Sequence, residues 1–212
     1  MKIGTKSVLF GAHCFIIHPW FVAAAWWKLY GFPNKIQYWV AFFVHDIGYW
    51  GKPNMDGEEG EKHPETGAKI IHWLFDRRFI NVSGNSYKYK IWYNFCYYHS
   101  RFLAKRDNTH FSKLCVADKL AIALEPAWFY LLRVNLSGEV KEYMALAKSR
   151  TAQGEPVTKY ESMRLNSSSQ FAWFRSMAEY LKRWVETHKD GKVDTWTPAS
   201  HKEAINENGV WK

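Results

Sequence analysis

Ile36-Gln37-Tyr38-Trp39-Val40-Ala41-Phe42-Phe43-Val44-His45-Asp46-Ile47-Gly48 is the stretch on which the fold turns. Pro33-Asn34 opens it and Gly51 follows, so it reads as a helix over about residues 35–48. Ile36, Trp39, Val40, Phe43 and Ile47 make it apolar on most faces, the pattern of a buried helix. Yet it ends on His45-Asp46. A carboxylate buried there costs on the order of several kcal/mol unless it is paired or coordinated. Taken alone, the dipeptide reads equally well as a polar cap on the end of the helix.

Helical spacing continues on both sides. Pro19 suits the first helical position and Gly31 follows the last, which marks a helix over residues 19–30. Residues 51–62 read as a loop, with Gly51, Pro53, Asn54, Gly57 and Gly60 as breakers and Asp56, Glu58, Glu59 and Glu61 as an acidic cluster. Pro64 opens a helix to about Arg77, and residues 81–86 form a turn-rich break. Helices are expected at about 88–104, 110–124, 127–135 and 139–149, followed by a looser stretch over 149–168. From Ser169 to His188, Phe171, Phe174, Met177, Leu181, Trp184 and Val185 recur at three- and four-residue steps, and Gly191 ends that helix. The last twenty residues have little pattern and are assigned to the surface. There is no fixed-period repeat and no run of alternating strands with hairpin turns, so the expected class is all-α.

Composition narrows the function classes. The chain has 212 residues, 47% hydrophobic and 23% charged, which excludes a disordered chain. Lys and Arg outnumber Asp and Glu by 29 to 20, so an anionic partner is expected. Seven of the basic residues (Lys88, Lys90, Arg101, Lys105, Arg106, Lys113, Lys119) fall between positions 88 and 119, against two acids. Aromatics reach 18%, and the Trp-rich stripes with Trp26, Trp27, Trp39, Trp73 and Trp92 are assigned to the core. Cys14, Cys96 and Cys115 form no Cys-x-x-Cys pair, which argues against a disulfide framework and for a reducing, cytoplasmic setting. The apolar stretch from Val8 to Tyr30 is interrupted by His13, His18, Pro19 and Lys28, so no spanning helix and no membrane partner is expected. Lys2 and Lys6 before Val8-Leu9-Phe10 resemble the start of an export signal, but the apolar run stops early and no small-residue cleavage site follows.

The chemistry lies among nine histidines. His18 opens the helix before the His45-Asp46 helix, and an antiparallel pair joined near Gly31 brings the two ends together. Asp118 is the one carboxylate in the apolar helix Cys115-Val116-Ala117-Asp118-Lys119-Leu120. His63 opens a helix at His63-Pro64-Glu65-Thr66-Gly67-Ala68, and His99 follows Tyr97-Tyr98. His13 competes with His18, which better matches a helix start. His72 lies about two and a half turns beyond His63, on the opposite side of the helix. His110, His188 and His201 are assigned to the surface.

The order His … His-Asp … His … His … Asp resembles the HD-domain superfamily of metal-dependent phosphohydrolases. Phe43-Val44-His45-Asp46-Ile47-Gly48 is similar to its central motif, His63-Pro64-Glu65-Thr66-Gly67-Ala68 to the His-Pro-x-x-Gly-Ala segment of its two-metal members, and Ala117-Asp118-Lys119-Leu120 to its closing segment. The resemblance spans about residues 13–133 and favours His63 over His72. It implies an HD-type helical bundle over residues 1–137, with a helical extension over 138–212 packed on the same domain.

It also implies a function: hydrolysis of a phosphoester or phosphoanhydride bond, of a nucleotide above all, by a metal-activated hydroxide. In a one-metal member His18, His45, Asp46 and Asp118 hold the ion and His63 and His99 line the pocket. In a two-metal member, the reading preferred here, Asp46 bridges and His63 and His99 hold the second ion. Imidazole with carboxylate suits Mn, Fe, Co, Ni, Mg or Zn. Many members carry a Lys three residues after the motif's Asp; here Tyr49 and Trp50 occupy that region and Lys52 is the nearest lysine. Lys52 and Arg101, a bidentate phosphate donor, therefore join Asp46 as candidate catalytic residues. Two rivals stand beside this reading. One is a di-iron oxygenase of the same superfamily. The other is a non-enzymatic nucleic-acid-binding module, not favoured because no such fold signature is present.

Overall fold

The computed structural model describes residues 1–55, 59–76, 90–152 and 165–190. Among them are ten α-helices and no strand, as the all-α expectation requires. They are α1 (Ile3–Phe10), α2 (His18–Tyr30), α3 (Ile36–Val44), α4 (Pro64–Ile71), α5 (Ile91–Tyr97), α6 (Arg101–Arg106), α7 (Lys113–Leu124), α8 (Ala127–Ser137), α9 (Glu139–Ala152) and α10 (Gln170–His188). Short 3-10 turns cover Ile47–Tyr49 and Gly60–Lys62, and a π-helical turn, His72–Asp76, continues α4. The expected break over 81–86, most of the looser stretch, Lys88, Gly191 and the residues after it, including His201, lie outside the described residues.

Several boundaries differ from the expected ones for local reasons. The His45-Asp46 helix stops at Val44, and the chain turns at once through Ile47–Tyr49. The helix expected over 88–104 is two helices. It breaks after Tyr97, and Ser100 starts α6 by accepting the Leu103 N–H on its hydroxyl at 3.3 Å. No helix was expected before residue 19, yet α1 is present. Its buried side carries only Gly4, Ser7 and Val8, too little for a periodic apolar signal.

The most deeply buried helix is α7, not α3. Leu114, Cys115, Val116, Ala117, Leu120 and Ala121 are all buried, and Ala117 and Ala121 let neighbouring backbones come close. It packs against α2 and α10. On α3 only Ala41 and Phe42 are fully buried, and Ile36 is 63% exposed. The outer faces of α2 and α3 instead form an exposed aromatic surface in which Trp20 meets Trp39 and Phe43, and Trp27 meets Phe32. Trp26 is core as expected; Trp27 and Trp73 are exposed, a correction to their assignment.

A second core joins Tyr130, Leu131 and Val134 of α8 to Val140 and Ala147 of α9 and Trp173, Phe174 and Ala178 of α10. Further along α10, Trp184 and Val185 enter the first core with Phe42 and Ala117. One amphipathic helix thus belongs to both. His188, expected at the surface, is buried: its ring stacks on Trp184 at 4.7 Å and its Nδ1 meets the Trp184 carbonyl at 2.8 Å. No helix among the described residues is long and apolar enough to cross a membrane.

Because Trp184 is fully buried, truncating it removes a large apolar volume from the first core. Trp184→Ala is expected to lower unfolding stability by about 3–5 kcal/mol in urea titration. A loss below about 1 kcal/mol would show that α10 is peripheral to that core.

Candidate metal centre

Five segments of the chain converge on one buried cluster. His18 sits at the first residue of α2, just before Pro19. His45 and Asp46 follow the end of α3, His63 precedes Pro64 of α4, and His99 lies in the break between α5 and α6. Asp118 projects from the middle of α7. All six predicted ligands are buried and come together.

They form two groups that share one residue. Ligand atoms of His18, His45, Asp46 and Asp118 lie within 4.8 Å of one another, and so do those of Asp46, His63 and His99. Asp46 divides its oxygens between them. Oδ2 lies 3.0 Å from His45 Nε2 and 3.6 Å from His18 Nε2, whereas Oδ1 lies 3.3 Å from His99 Nε2 and 3.5 Å from His63 Nε2. Asp118 Oδ1 closes the first group at 2.9 Å from His18 Nε2 and 3.7 Å from His45 Nε2.

The donor atoms are poorly satisfied by one another. His45 Nε2 and Asp46 Oδ2 are buried without a hydrogen bond although they are close. His63 Nε2 faces His99 Nε2 at 3.0 Å, while their Nδ1 atoms lie 2.8 and 2.6 Å from the carbonyls of Gly60 and Cys96. With both Nδ1–H groups donating outward, a neutral pair would set two lone pairs against each other. A shared cation, or a proton, resolves that contact. The nitrogen and oxygen donors therefore fit a divalent ion.

Electrostatics follow from the crowding. Burial opposes ionisation of Asp46 and Asp118, yet His45 beside the first and Lys119 and His18 beside the second hold both carboxyls well below the usual range. Burial disfavours charged His18 and His45, but the carboxylates beside them outweigh it: Asp118, Asp46 and the nearby Glu125 for His18, and Asp46 and Asp118 for His45. His18 is raised to about 8 and His45 to about 10. His63 moves the other way: burial and then the neighbouring His99 push it well below its ordinary value. His18 and His45 thus differ from His63 in proton affinity before any ion binds.

Close backbone approach sets this geometry. A side chain on Gly48 would collide with the His63 backbone, and one on Gly67 with the Val44 carbonyl. Gly67 thereby lets α4 lie against the chain just before His45-Asp46.

The remaining candidates fall elsewhere. His72 bonds to Asp76, whose carboxylate accepts the N–H groups of Trp92 and Tyr93 at the start of α5. His13 bonds to Ser7 Oγ and packs on Tyr49, beside the cluster but outside both groups. Lys52 pairs with Glu59 at 3.3 Å. Arg101 donates to the Tyr180 hydroxyl at 2.8 Å and lies over Trp184, which ties α6 to α10. In the basic segment, Lys119 touches a ligand, with its Nζ 2.8 Å from Asp118 Oδ2. Arg106 pairs with Asp107 and the Tyr97 hydroxyl, and Lys113 lies over Tyr30.

Sequence reasoning missed a buried polar layer behind His18, made of Glu125, Arg133 and Glu139. Arg133 binds Glu125 and the Gly11 carbonyl. Glu139 accepts from the Ala12 N–H at 3.1 Å and the Tyr143 hydroxyl at 3.1 Å. The contacts that tie this layer to Gly11 and Ala12 span more than a hundred residues, so no local spacing could signal them.

Gly67→Ala is a discriminating variant. Helix propensity alone would stabilise it by about 1 kcal/mol. A clash with the Val44 carbonyl instead predicts a lower melting temperature, and a rise would refute the close approach. Comparison with protein-family models, with curated proteins and with solved structures finds no match to this chain, so its functional reading rests on the residues and their geometry.

Proposed function

We propose that this chain is a metal-dependent phosphohydrolase of the HD type, which cleaves a phosphoester or phosphoanhydride bond of a nucleotide. The observation that carries the reading is the division of the Asp46 oxygens between two buried donor groups, the arrangement expected of a carboxylate bridging two ions. His18, His45, Asp46 and Asp118 would hold one divalent ion, and Asp46, His63 and His99 a second. Such ions supply Lewis acidity and lower the pKa of bound water.

The chain's own residues do the rest. His45, His63 and His99 keep Nε2 aimed inward through bonds from Nδ1 to backbone carbonyls. Tyr49 stacks on His63 at 3.9 Å and shields that flank from water. Lys119 keeps a quarter of its side chain exposed while touching Asp118, so it is the cation best placed to meet an anionic phosphoryl group. Lys52 and Arg101, proposed for that role on sequence, are engaged by Glu59 and by Tyr180 and Trp184. The overall charge of +9 is consistent with a phosphorylated substrate.

A nucleotide panel with Mn²⁺, Co²⁺ or Fe²⁺ tests the reading. Release of phosphate, pyrophosphate or triphosphate is expected, and Asp46→Ala should lose both metal and turnover. Full activity in that variant would sink the site; turnover that needs iron and O₂ would replace the hydrolase with an oxygenase.

Proton release gives a second test. His18 is raised to about 8 and His45 to about 10, so in the metal-free protein each must lose a proton before its nitrogen can bind an ion. Apparent Mn²⁺ affinity should fall in calorimetry as pH drops below about 10, and more steeply below about 8. Their raised values also stabilise the metal-free fold below pH about 6.5, a contribution lost as pH rises through those values. Metal affinity independent of pH would contradict the assignment.

A further inference from the structure

Four histidines face the cluster, and three are held in the same way. His45, His63 and His99 each place Nδ1 against the carbonyl three residues earlier, at 2.9 Å from Phe42, 2.8 Å from Gly60 and 2.6 Å from Cys96. Each Nδ1–H donates there and each Nε2 is left for the cluster.

His18 breaks the pattern. Its Nδ1 has no hydrogen-bond partner although the residue is 1% exposed. The group that faces it is Glu125 Oε1 at 3.9 Å, also buried and without a hydrogen bond. A buried donor and a buried acceptor thus stand opposite each other across a gap that a shift of about 1 Å would bring to hydrogen-bond distance.

Glu125 is not loose. Its Oε2 accepts from Arg133 Nη2, while Arg133 Nη1 donates to the Gly11 carbonyl and the guanidinium lies over Phe129. Glu125 also follows Asp118 by seven residues along α7, two turns on the same side of the helix. Helix α7 and its C-terminal cap therefore approach His18 from both sides of the ring, with Asp118 at Nε2 and Glu125 at Nδ1.

We propose that Glu125 is the positioning residue of His18, accepting its Nδ1–H and orienting Nε2 toward an ion, with Arg133 locking the carboxylate in place. The inference rests on the metal reading above. A carboxylate partner raises the basicity of a ligating imidazole more than a carbonyl does. The group with His18, His45, Asp46 and Asp118 is therefore the tighter of the two sites.

Cobalt(II) titration of wild type and Glu125→Gln, followed by calorimetry and by the visible spectrum, tests this. The variant should lose about 10- to 100-fold in affinity at the tighter site, with its spectrum altered and the weaker site unchanged. Unchanged tight-site affinity and spectrum alongside a lower melting temperature would make Glu125 a purely structural residue and overturn the proposal. Should Glu125→Gln fold poorly because Arg133 is left unpaired, the double variant Glu125→Gln/Arg133→Met removes both charges and is held to the same criteria. The ¹⁵N shifts of His18 in the metal-free protein separate the two readings. If wild type binds no cobalt, the metal reading fails. A His18 Nδ1 signal moved by Glu125→Gln would still support the pairing, and an unmoved signal would refute it.

Discussion

Two carboxylates buried among four imidazoles are the constraint around which this molecule is organised. Asp46 and Asp118 stay ionised in the interior only because His18, His45 and Lys119 compensate them. Breaking such a group by removing one partner costs roughly 3–5 kcal/mol, because a charge is left unpaired in a medium that solvates it poorly. The compensation is incomplete among the side chains alone, since His45 Nε2 and Asp46 Oδ2 remain without hydrogen bonds. That unsatisfied donor capacity is what equips the cluster to hold a metal ion, beyond serving as an internal salt bridge.

The fold delivers this cluster mainly by bringing helix ends and turns, rather than helix faces, to one place. His18 begins a helix, His45-Asp46 ends one, His63 precedes one and His99 fills a break. Only Asp118 stands mid-helix, and α7 can carry it because α2 and α10 pack around it. At chain turns the imidazole Nδ1 reaches a carbonyl three residues back, so tautomer and ring direction are set locally for His45, His63 and His99. Helices α9 and α10 are tied to the same region. Glu139 holds Ala12 beside the Arg133 layer, and Arg101 of α6 is clamped by Tyr180 and Trp184 of α10.

Burial was harder to read from the sequence than helical class. The largely apolar pattern of α3 is that of a core helix, but exposure depends on how many neighbours a helix has. The outer face of α3 is open beside the outward rings of α2. His188 looked like a surface residue near the end of a polar helix, yet it lies flat on Trp184. Lys52 and Arg101 were chosen for proximity along the chain, and each turned out to be engaged by a residue that spacing could not reveal.

By itself the sequence pointed to the all-helical class and to the six residues that the structure gathers into one buried cluster. Helical period, helix-start prolines and the order of the His and Asp motifs are local properties, written within a few residues of each position. Only the tertiary structure decided which helix is central, how Asp46 shares its two oxygens, and that Glu125, Arg133 and Glu139 stand behind His18. These are contacts between segments as much as 127 residues apart. Their energy comes from desolvated charge and close packing, which depend on what lies across the core and leave no period in the chain.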